Sequence, residues 1–311
     1  MSLSEFTLID RFFAHQNNQN PQVKLGVGDD CALIEVSEGY ELAVTMDTMV
    51  AGVHFFSDIA PEDLAYKLLA VNLSDLASMG AQPFAVSLAL TAPKIEGDWL
   101  EQFASAFILF SRDFGVDLIG GDTTRGPLTL SLQAMGQVPV GCALKRSTAK
   151  VGDFIYVTHK LGDAGLGLKI LKGEYNPGSD AEFLLSRLIR PVPRINEGIK
   201  LRHYASSCID ISDGLLADLR HILQASGVGA SIDWEKIPLS DAVKKYIAQT
   251  GDWQMPLSAG DDYELCFTAS SQKQSSLDYH CIGKIESNLG LRVNKSGITQ
   301  EIRHYGFEHF S

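Results

Sequence analysis

Residues 61–90 read PEDLAYKLLAVNLSDLASMGAQPFAVSLAL, and this stretch decides the fold class. Pro61 suits the first helical position, where its missing N–H would be unpaired anyway, and Glu62 and Asp63 follow in the first turn, where the helix dipole favours negative charge. The helical pattern runs to about Gly80, and Ala85 to Leu90 then reads as a strand. Upstream, Tyr40 to Asp47 (YELAVTMD) is strand-like. Downstream, Asp98 as N-cap with Glu101 three residues on opens a second helix, whose Trp99, Phe103, Phe107, Phe110 and Phe114 lie on roughly one face and are read as core. Strand-like runs follow at Asp117 to Ile119 and Leu128 to Val138. Alternation of strands with amphipathic helices is the pattern of an α/β protein.

Between Pro139 and Asp153 (PVGCALKRSTAKVGD) the periodicity lapses, which predicts two domains, 1–138 and 139–311. The pattern restarts with Phe154 to Thr158 as a strand and a helix from Asp163 to Lys172 that Gly173 stops. Arg190 to Arg194 (RPVPR) must be extended. After CIDISDG, Leu215, Leu216, Leu219, Ile222 and Leu223 give a helix face, with Gly227 just beyond.

The chain has 311 residues, 45% of them hydrophobic, which suits two domains with real cores and excludes intrinsic disorder. Its net charge of −12 argues against general affinity for nucleic acid or anionic membranes. Cys31, Cys142, Cys208, Cys266 and Cys281 form no C-x-x-C pair, so zinc-knuckle and thioredoxin-like readings fail, and their odd number fits a reducing compartment. The opening MSLSEFTLIDRFFAHQ lacks a basic n-region and a long apolar core, and no run of 18 apolar residues occurs. The expectation is a soluble cytoplasmic protein.

No P-loop, H-E-x-x-H, G-x-S-x-G or kinase H-R-D/D-F-G set is present. What recurs is aspartate where strands end or turns begin: Asp29 and Asp30 in GVGDDC, Asp47 in VTMDT, Asp122 in IGGDTT, Asp210 and Asp213 in IDISDG, and Asp261 and Asp262 in AGDDYE. Each alone reads as a turn former or cap. Asp75 differs, because it lies inside the first helix on the face shared by Leu68 and Val71, as a charge paired at the edge of that face or as a metal ligand. Converging carboxylates would repel one another unless divalent cations lay among them, and all-oxygen ligation favours magnesium or manganese over zinc. Carboxylates with magnesium point to phosphoryl transfer.

The motifs GVGDDCAL (26–33), TMDTMVAGVHF (45–55), LLAVNLSDLASMGAQP (68–83), LIGGDTTRGPL (118–128), IDISDGLLADL (209–219) and AGDDYELCF (259–267) together resemble the thiamine-monophosphate kinases, in order, from about Glu5 to the closing GFEHF at 306–310. The resemblance implies a two-domain fold like that of aminoimidazole ribonucleotide synthetase. Its N-terminal α/β domain joins a symmetry mate's sheet in a dimer barrel, a C-terminal α/β domain follows, and the active site lies in the cleft between the domains. It also implies ATP-dependent phosphorylation of thiamine monophosphate to thiamine diphosphate, the last step in making that compound, with several magnesium ions and a homodimer.

Carried over by position, Asp30, Thr45, Met46, Asp47, Asp75, Asp122, Asp210 and Asp213 match metal ligands. Gly121, Asp122, Arg146 and Ser212 match ATP contacts, and His54, Asp261 and Phe307 match contacts to the thiamine substrate. Read from the residues alone, Arg146 fits either ordinary surface basicity or a guanidinium set on phosphate oxygens in an acidic cleft, His54 is a satisfied, partly buried histidine, and Ser212 could cap the following helix, whose N-terminus is also a natural phosphate seat. Three positions depart from the family pattern: Met46 stands where Thr is common, Asp261 where Glu is usual, and Phe307 where Trp or Tyr is usual. The acceptor phosphate is already largely dianionic, so no catalytic general base is expected and transfer should be direct. Alternative readings keep the fold with another acceptor, as in selenophosphate synthetase or aminoimidazole ribonucleotide synthetase, or keep the site without turnover, as a nucleotide or cation sensor.

Overall fold

The computed structural model describes residues 13, 18–94, 97–270 and 279–308. Both ends of the stretch of resemblance, at Glu5 and Phe310, lie outside the described residues. Two compact units divide the chain: Met1–Leu76 with Ala81–Cys142, and Ala77–Gly80 with Ala143–Ser311.

In the first unit β1 (Val23–Leu25) and β2 (Leu33–Ile34) form a small antiparallel ribbon. The main sheet consists of β3 (Tyr40–Val50), β4 (Gln82–Ala92), β5 (Asp117–Arg125) and β6 (Thr129–Pro139), in the order β3-β6-β4-β5. Each strand lies where the sequence places one; β6 keeps its expected length, shifted by one residue, whereas β3, β4 and β5 run longer, because pairing along a ladder recruits flanking residues with no strand signal of their own. Glycine-rich GGDTT in β5 is the clearest case. Only β4 and β5 pair in parallel, whereas β6 runs antiparallel to both β3 and β4.

Helix α1 (Pro61–Ser78) follows β3, and α2 (Gly97–Asp113) connects β4 to β5 as a parallel pair requires. Asp98 is not the N-cap of α2 but its second residue. Phe103 and Phe107 are fully buried, and the Trp99, Phe103 and Phe107 rings stack in series at 5.3 and 5.9 Å, so the aromatic face is core. Along β3 the pleat separates two faces: Leu42, Val44 and Met46 are exposed, whereas Met49 is buried and Thr45 and Asp47 half-buried.

The second unit comprises β7 (Phe154–Val157), α3 (Asp163–Leu171), α4 (Ala181–Ile189), α5 (Ile195–Leu201), β8 (Ser207–Asp210), α6 (Leu215–Ser226), β9 (Gly229–Asp233), α7 (Asp241–Thr250), a single turn α8 (Met255–Ser258), and β10 (Leu265–Ala269) to β13 (Ile298–Gln300), with β11 at His280–Glu286 and β12 at Gly290–Lys295. Its sheet has the order β13-β12-β9-β11-β7-β10-β8, and only β12 and β9 pair in parallel. Leu215, Leu216, Leu219 and Ile222 of α6 pack with Ile155, Val157, Ile209, Ile232 and Ile282 in one core. The α/β expectation therefore holds for composition and layering, but the sheets are mixed and mostly antiparallel.

Candidate functional site

On β3 and α1 the predicted residues meet. Thr45 donates its hydroxyl hydrogen to the Asp75 carboxylate. Asp75 is half-buried, as its place on the Leu68 and Val71 face requires. Next to it, fully buried Asn72 donates to the Leu68 carbonyl at 2.9 Å and accepts the Asp47 N–H at 3.0 Å. Strand and helix are thus joined through polar groups, each such bond adding about 1 kcal/mol. The Met46 side chain is 63% exposed and lies on the opposite face of the strand, so its departure from Thr removes nothing from this cluster. His54 closes the turn after β3: its Nδ1 accepts the Val50 N–H at 3.0 Å, which places the proton of the neutral imidazole on Nε2.

Asp30, Gly121 and Asp122 line a second feature of this unit, a cavity of about 500 Å³ walled also by Gly28, Leu88, Leu90 and Leu118. Asp117 holds the segment leading into that wall, accepting the N–H groups of Gln19 and Asn20 at 2.8 to 3.0 Å. Gly121 is obligatory, because a Cβ there would stand 1.8 Å from the Leu88 carbonyl oxygen. Asp47, Leu132, Leu88 and Gly121 are in register across the sheet, so three strand spacings, about 14 Å, separate Asp47 from Gly121. Among the described residues no group of three or more His, Cys, Asp or Glu side chains is gathered closely enough to hold a metal ion. The close donors on β3 and α1 are oxygens, the Thr45 hydroxyl and the Asp75 carboxylate. That set fits magnesium, which is held by one or two carboxylates with water and substrate phosphate completing the shell.

In the second unit Asp210 ends β8 and is buried, and residues 211–214 turn into α6. Ser212 does not cap the helix, whose N-cap position is Gly214 with no side-chain partner. A single carboxyl oxygen of Asp218 accepts the N–H groups of Ser212, Asp213 and Gly214 at 3.1, 3.1 and 3.2 Å, and so holds the turn that leads into the helix. Burial, with the Asp210 and Asp213 charges nearby, pushes the Asp218 pKa up to about 8.

The AGDDYE segment folds against the same turn. Asp261 N–H donates to Ser212 C=O and Tyr263 N–H to Ile211 C=O, both at 2.8 Å. Asp261 and Tyr263 have positive φ of 66° and 50°. Between and beyond them, Asp262 and Glu264 point inward. Asp262 accepts the Gly162 N–H, and burial holds its carboxyl well above the usual range. Fully buried Glu264 accepts from Arg187, Arg194 and Thr158 at 2.5 to 3.0 Å. The alternation leaves Asp261 half-buried at the turn. Phe307 is half exposed, and its N–H donates to the Asp213 carbonyl at 3.1 Å. Arg146 is exposed in a short 3-10 turn whose carbonyl accepts from Ser226 at the end of α6.

Sequence reasoning missed Asn72, Asp117, Asp218 and Glu264. Asn72 left a signal, a polar residue inside an apolar helix three residues before Asp75. Asp218 and Glu264 left none, since each reads as an ordinary solvated carboxylate until the fold buries it.

Residues 28–138 match the family described as AIR synthase related protein, N-terminal domain, and residues 150–275 match its C-terminal domain. The thiamine-monophosphate kinase of Salmonella typhimurium is 44% identical over all of this chain and 99% of its own length. Among solved structures, the thiamine-monophosphate kinase of Stenotrophomonas maltophilia K279a superposes with a TM-score of 0.84 at 42% identity, covering 94% of this chain and 98% of its own. The structure of AaThiL complexed with AMPPCP and TMP does so with a TM-score of 0.80 at 31% identity, covering 100% of this chain and 99% of its own. With relatives this similar along its whole length, the chain belongs to the thiamine-monophosphate kinase family.

Proposed function

We propose that this protein transfers the γ-phosphoryl group of ATP to thiamine monophosphate, giving thiamine diphosphate and ADP. The observation that carries the reading is the end-to-end similarity to a kinase complexed with an ATP analogue and TMP. The cavity lined by Asp30, Gly121 and Asp122 supports it, since the glycine brings bare backbone beside two carboxylates.

Magnesium is the cation of choice for this oxygen-only donor set; when bound, it screens the repulsion between the triphosphate and the acceptor phosphate. In the first unit Asp30, Thr45, Asp47, Asp75 and Asp122 would share several such ions among them, with residue 46 limited to its backbone; in the second unit Asp210 and Asp213 would hold another. Asp75 receives the Thr45 proton, which orients its carboxylate. Gly121, Asp122, Arg146 and Ser212 contact ATP, Arg146 through a guanidinium that suits phosphate oxygens. His54, Asp261 and Phe307 contact the thiamine substrate, Phe307 offering a ring face for stacking.

The acceptor phosphate, with a second pKa of about 6, is already a strong nucleophile near neutral pH, so these residues align the reactants and abstract no proton. Transfer is direct and in line. A homodimer accords with the exposed apolar row Leu42, Val44 and Met46 on edge strand β3, which a second copy would cover. A cytoplasmic setting accords with cysteines that are all free, and no helix among the described residues is long and apolar enough to cross a membrane.

Steady-state assay with ATP, thiamine monophosphate and magnesium tests the reading. Thiamine diphosphate should form in step with ADP, and γ-labelled ATP should leave no label on the protein. ATP hydrolysis without thiamine diphosphate would sink the function, and covalently retained label would sink direct transfer alone.

A further inference from the structure

Residues 301–307, the end of the chain that carries Phe307, are fastened to the second unit at successive points. Gln254 brackets the start: its amide nitrogen donates to the Glu301 carbonyl at 3.0 Å, and its amide oxygen accepts the Arg303 N–H at 3.1 Å. Ile302 packs on the core beneath. The Arg220 guanidinium of α6 then lies over the Tyr305 ring, 4.3 Å from its centroid. Gly306 passes so close to the turn before α6 that a Cβ would meet the Asp213 carbonyl oxygen at 2.4 Å and Ala217 Cβ at 2.6 Å. Phe307 follows, tied by its N–H to that same Asp213 carbonyl.

We propose that Arg220 and Tyr305 form a latch that holds the C-terminal segment on α6 and so positions Phe307 for the thiamine end of the substrate. The proposal rests on the assignment of Phe307 as a substrate contact. Arg220 and Tyr305 are positioning residues that act through Phe307. The segment belongs to no strand or helix, so its order depends on such side-chain fastenings. A guanidinium over a tyrosine face is attracted by the ring quadrupole. Without the latch, residues 304–307 must be ordered when substrate binds, and that entropy cost falls on binding of thiamine monophosphate and not on ATP or the transfer step.

The test is kinetic, on the full chain. Tyr305→Ala and Arg220→Ala should each raise KM for thiamine monophosphate roughly fivefold, the size expected for a cation–π contact of this kind. KM for ATP and kcat should change less than about twofold on the same scale. The double variant should be no worse than either single one, because each removes the same contact. Tyr305→Phe keeps the ring face and should restore the wild-type KM. Amide exchange at Phe307 should quicken in both alanine variants. Unchanged KM for thiamine monophosphate, or a parallel rise in both KM values, overturns the latch. Phe307→Ala separates the two ideas. If it raises KM for thiamine monophosphate while Tyr305→Ala and Arg220→Ala are silent, the latch alone fails; if it is itself silent, the substrate assignment fails and takes the latch with it.

Discussion

The Thr45 hydroxyl donates to the Asp75 carboxylate across 30 residues of chain, so strand β3 and helix α1 present their oxygens as one unit. Replacing Asp75 by Asn keeps the size and removes the charge on which cation binding depends. Turnover of Asp75→Asn should fall by roughly a hundredfold or more, with the loss greatest at limiting magnesium. Its melting temperature should stay within about 2 °C of wild type, which corresponds to about 1 kcal/mol for a chain of this length. A magnesium titration of initial rates checks this; near-normal rates at limiting magnesium would remove Asp75 from the site.

Asp218 predicts an unusual pH dependence. Its carboxyl titrates at about 8 in the folded chain, far above the ordinary value of 3.8. Between those values the folded state keeps a proton that the unfolded state has released. Stability should therefore fall as pH rises through this window, by up to about 1.4 kcal/mol per pH unit, and level off above it. Asp218→Asn retains an oxygen acceptor for the Ser212, Asp213 and Gly214 N–H groups but cannot titrate. Urea unfolding in chelator from pH 5.5 to 8.5 should show the wild type losing ground to this variant as pH rises. A gap that stays constant with pH contradicts the assignment.

Gly121 and Gly120 form a matched pair of controls. A methyl at 121 would lie 1.8 Å from the Leu88 carbonyl oxygen, whereas one at 120 meets nothing within 4 Å. Gly121→Ala must push β5 from β4 and should cost about 3 kcal/mol or more, while Gly120→Ala should stay within about 1 kcal/mol. Chemical denaturation measures both. Equal effects would mean that the close approach at 121 is not a constraint.

Glu264 is fully buried and receives both Arg187 and Arg194. Arg194→Met leaves that carboxylate short of a partner and should destabilise by about 3 kcal/mol. The pair Arg194→Met with Glu264→Gln removes the stranded charge and should regain more than half of the loss. A double variant no more stable than the single one would show that the ion pair is not what Arg194 supplies.

Much of this was legible before any coordinates. Pro61 with the acidic first turn marks the start of α1, while the aromatic face of 99–114 and the run Leu215 to Leu223 carry a helical period in their own residues that the core buries. The half-buried Asp75 followed from the same arithmetic. The direction of strand pairing did not, because a strand's alternation records which face is buried and not which neighbour it will have. Nor did the role of Asp218: it reaches back from the first turn of α6 to accept the N–H groups of Ser212, Asp213 and Gly214, while Ser212, which has the chemistry of a cap, makes no cap.

The sequence by itself determined helices α1, α2, α3 and α6, the places of most strands in the first unit, the family, and the list of carboxylates available for chemistry, since these depend on local periodicity and on side-chain type. Only the tertiary structure decided how those carboxylates are divided. Asp75 is joined to Thr45, Asp122 lines a cavity from β5, the opposite edge strand to the one that carries Asp47, and Asp218 and Glu264 are withdrawn as internal anchors. The physical reason is that a carboxylate's role follows from its burial and its partners, and both are contributed by segments far away in the chain.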